Sequence, residues 1–306
     1  MKKKLALLLA GVMCISALTA CGASTEEVAT EDITIEDITI EDTTEGTSEL
    51  EGTVTASGSS ALFPLADAAA VAFKEANPNV SVTINAGGSG TGLKDVAAKT
   101  VDIGNSDVYA EEKLEADVAA KLVDHKACVV AMTPIVNSAL AEKVPNLTTA
   151  QLTDIFTAKV TNWSEVGGPD EEIMLITRPT SSGTRALFKE YGIGGAEEAT
   201  TSFETDDSGS LLTTVAQNEN AIGYVALSYL VNEPEGVAKI KVDNVECSLD
   251  TTYDGTWQIW GYEHMYTNGE AKGAVKAYLD FMMGEEFGAN IEAMGYGVTA
   301  KMKTER

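Results

Sequence analysis

Two hydrophobic periods alternate along the chain from about residue 52 to its end. Val54-Thr55-Ala56 reads as a short strand. Leu62, Leu65, Ala69 and Phe73 then recur at helical spacing until Asn77-Pro78-Asn79 stops them. Val80, Val82, Ile84 and Ala86 alternate as a half-buried strand does. The glycine-rich run 87–92 turns into a short helix expected over 93–99, and a strand over 101–104 ends at Asn105-Ser106-Asp107. Residues 127–133 are continuously apolar, the pattern of a buried strand, and 149–156 read as a short helix with a threonine cap. A strand over 173–177 runs into Arg178-Pro179-Thr180-Ser181-Ser182-Gly183-Thr184, after which 185–191 read as helix. Later strands are expected at 222–225 and 258–260, and a helix at 271–283. Strand, turn and helix repeated in this way predict an α/β sheet with helices on its faces.

The N-terminal fifty residues follow neither period. Lys2, Lys3 and Lys4 precede an apolar run over residues 5–18, too short for a membrane span, and Leu18-Thr19-Ala20-Cys21 follows. The tetrapeptide resembles a bacterial lipobox. Residues 1–20 are therefore expected to be a lipoprotein signal peptide, with lipidation of Cys21 holding the chain at the membrane. Residues 21–51 are expected to be a disordered spacer. EDITI occurs at 31–35 and again at 36–40, and the 22–51 stretch holds eleven acidic residues and no Lys or Arg. That stretch supplies −11 of the formal net charge of −26. The remainder is only moderately acidic, and nucleic acid is excluded as a partner because its binders concentrate Lys and Arg. A small anion is not excluded, since local donors and dipoles govern a closed site. Beyond Cys14 and Cys21 the chain has Cys128 and Cys247, which sequence leaves open as a disulfide or as two isolated thiols.

Three turns share one design, in which a strand ends, small hydroxyl and glycine residues follow, and a helix begins. They are Ser59-Ser60-Ala61, Ser89 within GGSGTG, and Ser182-Gly183-Thr184. A helix N-terminus leaves N–H groups unpaired and carries partial positive charge, so it suits an oxyanion. One such turn is ordinary helix capping. Three in one α/β chain point to an anion site beyond the carboxyl ends of the strands. Arg178 can give bidentate hydrogen bonds to an oxyanion. Asp107, facing the same anion, would demand a ligand that still carries a proton, as phosphate does and sulfate does not. Enzymatic patterns fail. The run 87–92 lacks the spacing of a nucleophile elbow, a P-loop or a dinucleotide fold. His125 and His264 are expected to be packed or surface residues, and no metal or cofactor spacing is present. Trp163, Trp257 and Trp260 are read as core or hinge packing.

Together, Gly58-Ser59-Ser60-Ala61-Leu62-Phe63-Pro64-Leu65, Gly88-Ser89-Gly90-Thr91-Gly92, Val101-Asp102-Ile103-Gly104-Asn105-Ser106-Asp107 and Ser181-Ser182-Gly183-Thr184-Arg185 resemble the PstS-type phosphate-binding proteins. The resemblance implies a two-lobed periplasmic-binding-protein type II fold with a hinge and an interlobe cleft. Lobe I would comprise 52–128 plus 260–306, and lobe II 129–259. It implies extracytoplasmic capture of inorganic phosphate, delivery to the permease of an ABC importer, no catalysis and no cofactor, in a monomer anchored at Cys21. By motif position the phosphate ligands would be Ser60, Ala61, Ser89, Asp107, Arg178, Ser182, Gly183 and Thr184, with Ser59 and Ser106 as neighbours. One departure stands out: in some members an acidic residue two places after the arginine orients it, and here that place holds Thr180. Receptors for molybdate or sulfate, an exported phosphoester hydrolase and a surface adhesin are the competing readings.

Overall fold

The computed structural model describes residues 50–306 apart from Ser202. The signal peptide, Cys21 and nearly all of the spacer lie outside the described residues. The described residues form ten strands: β1 Gly52–Ser59, β2 Val80–Gly87, β3 Ile103–Ser106, β4 Leu122–Asn137, β5 Asn146–Leu147, β6 Met174–Leu175, β7 Ala221–Ala226, β8 Val237–Lys239, β9 Lys241–Val242 and β10 Trp260–Asn268. Eight of them make a mixed sheet in the order β2-β1-β3-β10-β4-β7-β6, with β8 also on β4, while β5 and β9 pair separately. The strands with intervening helices, β1 with β2 and β3 and β6 with β7, run parallel. β10 is antiparallel to both β3 and β4.

β4 gives the molecule its two-lobed character. Residues 122–131 pair with β10, and from Met132 onward the strand pairs with β7 and then β8. Its exposure changes a little earlier, from partly exposed residues to ten consecutive buried ones from Cys128 onward. A strand covered on both faces needs no polar alternation. At the handover the Trp257 indole donates to the carbonyls of Met132 and Ile259, 3.1 Å each. Trp163, Trp257 and Trp260 are all buried.

The helices follow from the apolar spacing. Phe63–Ala76 buries Leu65, Ala66, Ala69, Ala70 and Phe73. Phe73 meets Tyr278 of the helix Gly273–Met283 edge-on at 5.6 Å, and the Tyr278 hydroxyl donates to the Ala66 carbonyl at 2.7 Å. Burying one such aromatic contributes about 1.5–3 kcal/mol. Cys128 and Cys247 are both buried free thiols.

Several elements differ from the sequence expectation, among them β4, which runs Leu122–Asn137 against the expected 127–133. The second helix begins at Ser89, so the glycine-rich run is its first turn rather than a loop before it. The strand expected over 173–177 shrinks to Met174–Leu175, because the Thr177 N–H and C=O bond residues 203 and 205 instead. The strand expected at 258–260 begins only at Trp260 and runs to Asn268. A helix over Ser208–Gln217, capped by Asp207, was not anticipated.

Candidate functional site

The three turns converge as the topology of parallel strands requires. At the first, Ser59 Oγ accepts from the Leu62 N–H at 3.0 Å, a helix-start contact that uses Ser59 locally. The next residue, Ser60, turns its hydroxyl to the far half of the molecule. Its Oγ donates to the Asp206 carbonyl at 3.0 Å and lies 2.9 Å from Ser208 Oγ. Its own carbonyl accepts from the Tyr229 hydroxyl at 2.7 Å. The Ala61 carbonyl is fixed by the Tyr296 hydroxyl at 2.6 Å. Gly58 has φ +127°, and a side chain there would strike the Asn105 backbone, which lets β1 and β3 approach closely at this end.

The second and third turns meet at Asp107, which is 2 % exposed. Ser89 Oγ donates to Oδ1 at 3.2 Å and accepts from the Asp107 N–H at 3.0 Å. Thr184 Oγ1, from the first turn of the helix Gly183–Gly192, donates to Oδ2 at 2.8 Å. Gly183 is the first residue of the helix Gly183–Gly192, and a Cβ there would lie 2.2 Å from Ser89 Oγ and 3.0 Å from Asp107 Cβ. Only glycine brings this helix N-terminus against the Asp107 pair. Ser182 is that helix's cap, accepting from the Arg185 N–H at 3.3 Å. Ser106 is used locally, donating to the Val108 carbonyl at 2.7 Å.

Arg178 is 0 % exposed. Its Nη1 donates to the Asp206 carbonyl at 3.3 Å, and its Nη2 to Ser208 Oγ at 3.0 Å and to the Tyr224 carbonyl at 3.2 Å. Nε has no partner. All these acceptors are neutral. Thr180 does not take the place of the acidic partner: its carbonyl accepts from Lys113 Nζ at 2.9 Å. The nearby carboxyl of Glu198 is pushed up to about 6 by burial, against the Tyr224 hydroxyl at 2.7 Å and the more distant pull of Arg185 and Arg178. Burial likewise raises Asp206 above its ordinary value, opposed by Ser182, Arg178 and Ser181, while Asp107 adds to the rise. A buried guanidinium with neutral partners and one free N–H is electrostatically ready for an anion.

The structure thus brings Ser89, Asp107, Gly183 and Thr184 into one cluster. It joins Ser60 to Arg178 through Asp206 and Ser208. Ser182 caps the intervening helix, and Ala61 is held at the base of the first turn. Sequence reading missed Asp206, Ser208 and Tyr229. The signal was present in Asp207-Ser208-Gly209-Ser210, a fourth hydroxyl and glycine turn leading into Leu211, Leu212 and Val215 at helical spacing. His264, buried against Asp124 at 2.9 Å, and His125, bonded to Thr267 at 3.0 Å, stand apart from the site. Among the described residues no acid, His and Cys group could hold a metal ion.

A two-lobed α/β fold with hydroxyl-rich helix N-termini gathered around one buried Arg and one buried Asp defines a binding protein of the periplasmic type. The chain belongs to the PBP superfamily, whose domain matches residues 43–286, and within it to the PstS-type phosphate-binding proteins. It is 41% identical over 306 residues to the phosphate-binding protein PstS of Bacillus subtilis, covering 100% of this chain and 96% of that one. It is similar to the crystal structure of a phosphate ABC transporter substrate-binding protein with bound phosphate from Clostridium perfringens. The TM-score there is 0.73 at 30% identity, covering 81% of this chain and 100% of that one. An ABC-type phosphate transport receptor from Vibrio cholerae matches with a TM-score of 0.63 at 25% identity, covering 80% and 99%.

Proposed function

We propose that this protein captures inorganic phosphate outside the cytoplasmic membrane and delivers it to the permease of an ABC importer. The observation that carries the reading is the pairing of a buried Arg178 held only by neutral acceptors with a buried Asp107 held by two hydroxyls. The guanidinium supplies charge for an oxyanion, and the carboxylate requires that the oxyanion bear a proton. Sulfate offers none, so it would leave a buried acceptor facing a bare oxygen. The ligand set is Ser60, Ala61, Ser89, Asp107, Arg178, Ser182, Gly183 and Thr184.

The lobes are 52–128 with 260–306, and 129–259. Their closure is supported by contacts between them: Thr184 on Asp107, Ser60 with Ser208, and the Gly90 N–H on the Ser181 carbonyl at 2.9 Å. Closure of this kind dehydrates the ion and offers the permease a changed surface. No bond is made or broken. The chain acts as a monomer, tethered through lipid on Cys21, with residues 21–51 as the spacer. No helix among the described residues is long and apolar enough to cross a membrane.

The test is calorimetric titration of the chain after bound phosphate is removed by unfolding and refolding. Phosphate should bind tightly and one to one, while sulfate and molybdate should not. Binding of sulfate or molybdate in its place would overturn the ligand, and release of phosphate from an ester would overturn the assignment as a receptor.

A further inference from the structure

Behind Asp107 lies a second carboxyl that none of the contacts above employs. Glu263 sits in β10 opposite Cys128 of β4, at a register shift between Glu263 and His264. Its side chain is 0 % exposed, and neither carboxyl oxygen completes a hydrogen bond. The polar groups acting on it are Asp107, from the end of β3, and Ser59, from the end of β1. The titratable groups packed nearest from other segments are the Cys128 thiol and the Tyr296 phenol, which are themselves buried and neutral. On its own strand Tyr262 and His264 share the opposite face, where His264 pairs with Asp124.

Two carboxylates buried side by side cannot both stay ionised. The hydrogen bonds decide which one holds the proton. Asp107 already accepts a hydroxyl hydrogen bond at each oxygen. Glu263 has no such donor bonded to it, and burial drives its pKa well above the carboxylate range, with Asp107 adding to the rise. A neutral Glu263 has one O–H to give and one carbonyl oxygen to fill. The Ser59 hydroxyl, whose oxygen already accepts from Leu62, still has its proton to donate. Rotation of the Glu263 side chain then satisfies both oxygens, Ser59 donating to one and the other donating to Asp107.

We propose that Glu263 is a positioning residue of the anion site, a neutral carboxylic acid that donates a hydrogen bond to Asp107 and keeps Asp107 the ionised partner for the ligand's proton. The inference rests on the phosphate reading above for its effect on affinity. It predicts that phosphate affinity depends on Glu263 keeping its proton, because ionisation would place a second negative charge beside the bound anion.

The experiment titrates phosphate into the phosphate-stripped full chain from about pH 6 to about pH 10, spanning the range into which burial moves a carboxyl. Wild type, Glu263→Gln and Glu263→Leu are compared. Gln keeps a donor and the shape of the neutral acid, so its affinity near neutrality should lie within about threefold of wild type. Leu keeps volume without a donor and should bind at least about tenfold more weakly, the loss of one charge-assisted hydrogen bond. As pH rises, wild type should lose affinity relative to Gln, by about tenfold at the alkaline end. Parallel profiles for wild type and Gln, or wild-type affinity in the Leu variant, would overturn the role of Glu263 and leave the phosphate reading intact. If wild type binds no phosphate at any pH, that reading falls instead. Infrared spectroscopy of the same samples then decides the proton: a carbonyl band of an un-ionised carboxylic acid near neutrality, lost in Glu263→Gln, supports the assignment, and its absence from wild type overturns it.

Discussion

Asp107 packs against the N-terminus of the helix that begins at Gly183, Arg178 lies just before that helix in the chain, and the fold treats their two buried charges in opposite ways. Asp107 has a hydroxyl on each oxygen, each from the first turn of a different helix. Arg178 is held by two backbone carbonyls and one hydroxyl, with Nε unpaired. The acid is thus locally solvated by the protein, and the base is positioned without being neutralised. None of the Arg178 guanidinium hydrogen bonds goes to Glu198, whose pKa burial raises to about 6 even against the pull of Arg185 and Arg178. The positive charge is left for the ligand. The largest effect should therefore follow from Arg178→Ala, which is expected to weaken phosphate binding by about 2–5 kcal/mol, the range for breaking a buried charge pair. A dissociation constant equal to wild type in calorimetry would remove Arg178 from the site.

On the acidic side the expected loss is smaller and of another kind. Asp107→Asn preserves shape and keeps an acceptor oxygen, but it places an amide where the Ser89 or Thr184 hydroxyl donates. Phosphate binding should fall by about 1–3 kcal/mol, the cost of a mismatched buried hydrogen bond. Sulfate binding should fall less or even rise, because the amide can donate to an oxygen without a proton. A competition titration reads the ratio, and unchanged selectivity would sink the role given to Asp107.

Glu198 sharpens the contrast through stability rather than affinity. Its pKa is raised from 4.5 to about 6 on folding. Its contribution is fully present below pH 4.5 and is lost as pH rises through about 6. Wild type should therefore lose about 2 kcal/mol relative to Glu198→Gln across that window, at 1.36 kcal/mol per pKa unit. Denaturant midpoints for the two proteins on either side of the window provide the check. Equal pH dependence would mean that Arg185, 3.8 Å away, does compensate the carboxylate.

How much of this was legible in the sequence follows the same division. The Asp107 side is written in short motifs, since Ser89, Asp107, Gly183 and Thr184 each sit at a strand end or helix start that local periodicity marks. The Arg178 side is only half legible. Arg178 itself stands in a motif, but its acceptors are the carbonyls of Asp206 and Tyr224, and a carbonyl carries no residue-type signal. Ser208 belongs to a turn of the same design as the other three and was readable. Glu263 was not, because Tyr262-Glu263-His264-Met265-Tyr266 lacks the apolar and polar alternation of a strand, and only the pairing of β10 with β3 and β4 brings it beside Asp107. The extent of β10 was obscured for the same reason.

Lys113 offers the smallest effect and the most direct probe of how the two sides are held together. It follows the short turn after Asp107, and its Nζ donates across to the carbonyls of Thr180 at 2.9 Å and Ser182 at 3.3 Å. Those carbonyls belong to the loop between Arg178 and the Gly183 helix, so the contact ties the acidic cluster to the basic one without touching either charge. Burial lowers the pKa of Lys113, while Glu112, Asp107 and Asp206 oppose the shift. The ammonium is only partly buried, which discounts its hydrogen bonds to about 1 kcal/mol in total. Lys113→Met keeps the stem and removes the donor. Phosphate should then leave faster by about fivefold with little change in the rate of capture, because the contact exists only when the two sides meet. Stopped-flow measurement of release reads this directly. An unchanged release rate would mean that the Thr184–Asp107 and Ser60–Ser208 contacts hold the two sides together without help, and that the charges at the centre, rather than the latch beside them, set the lifetime of the bound state.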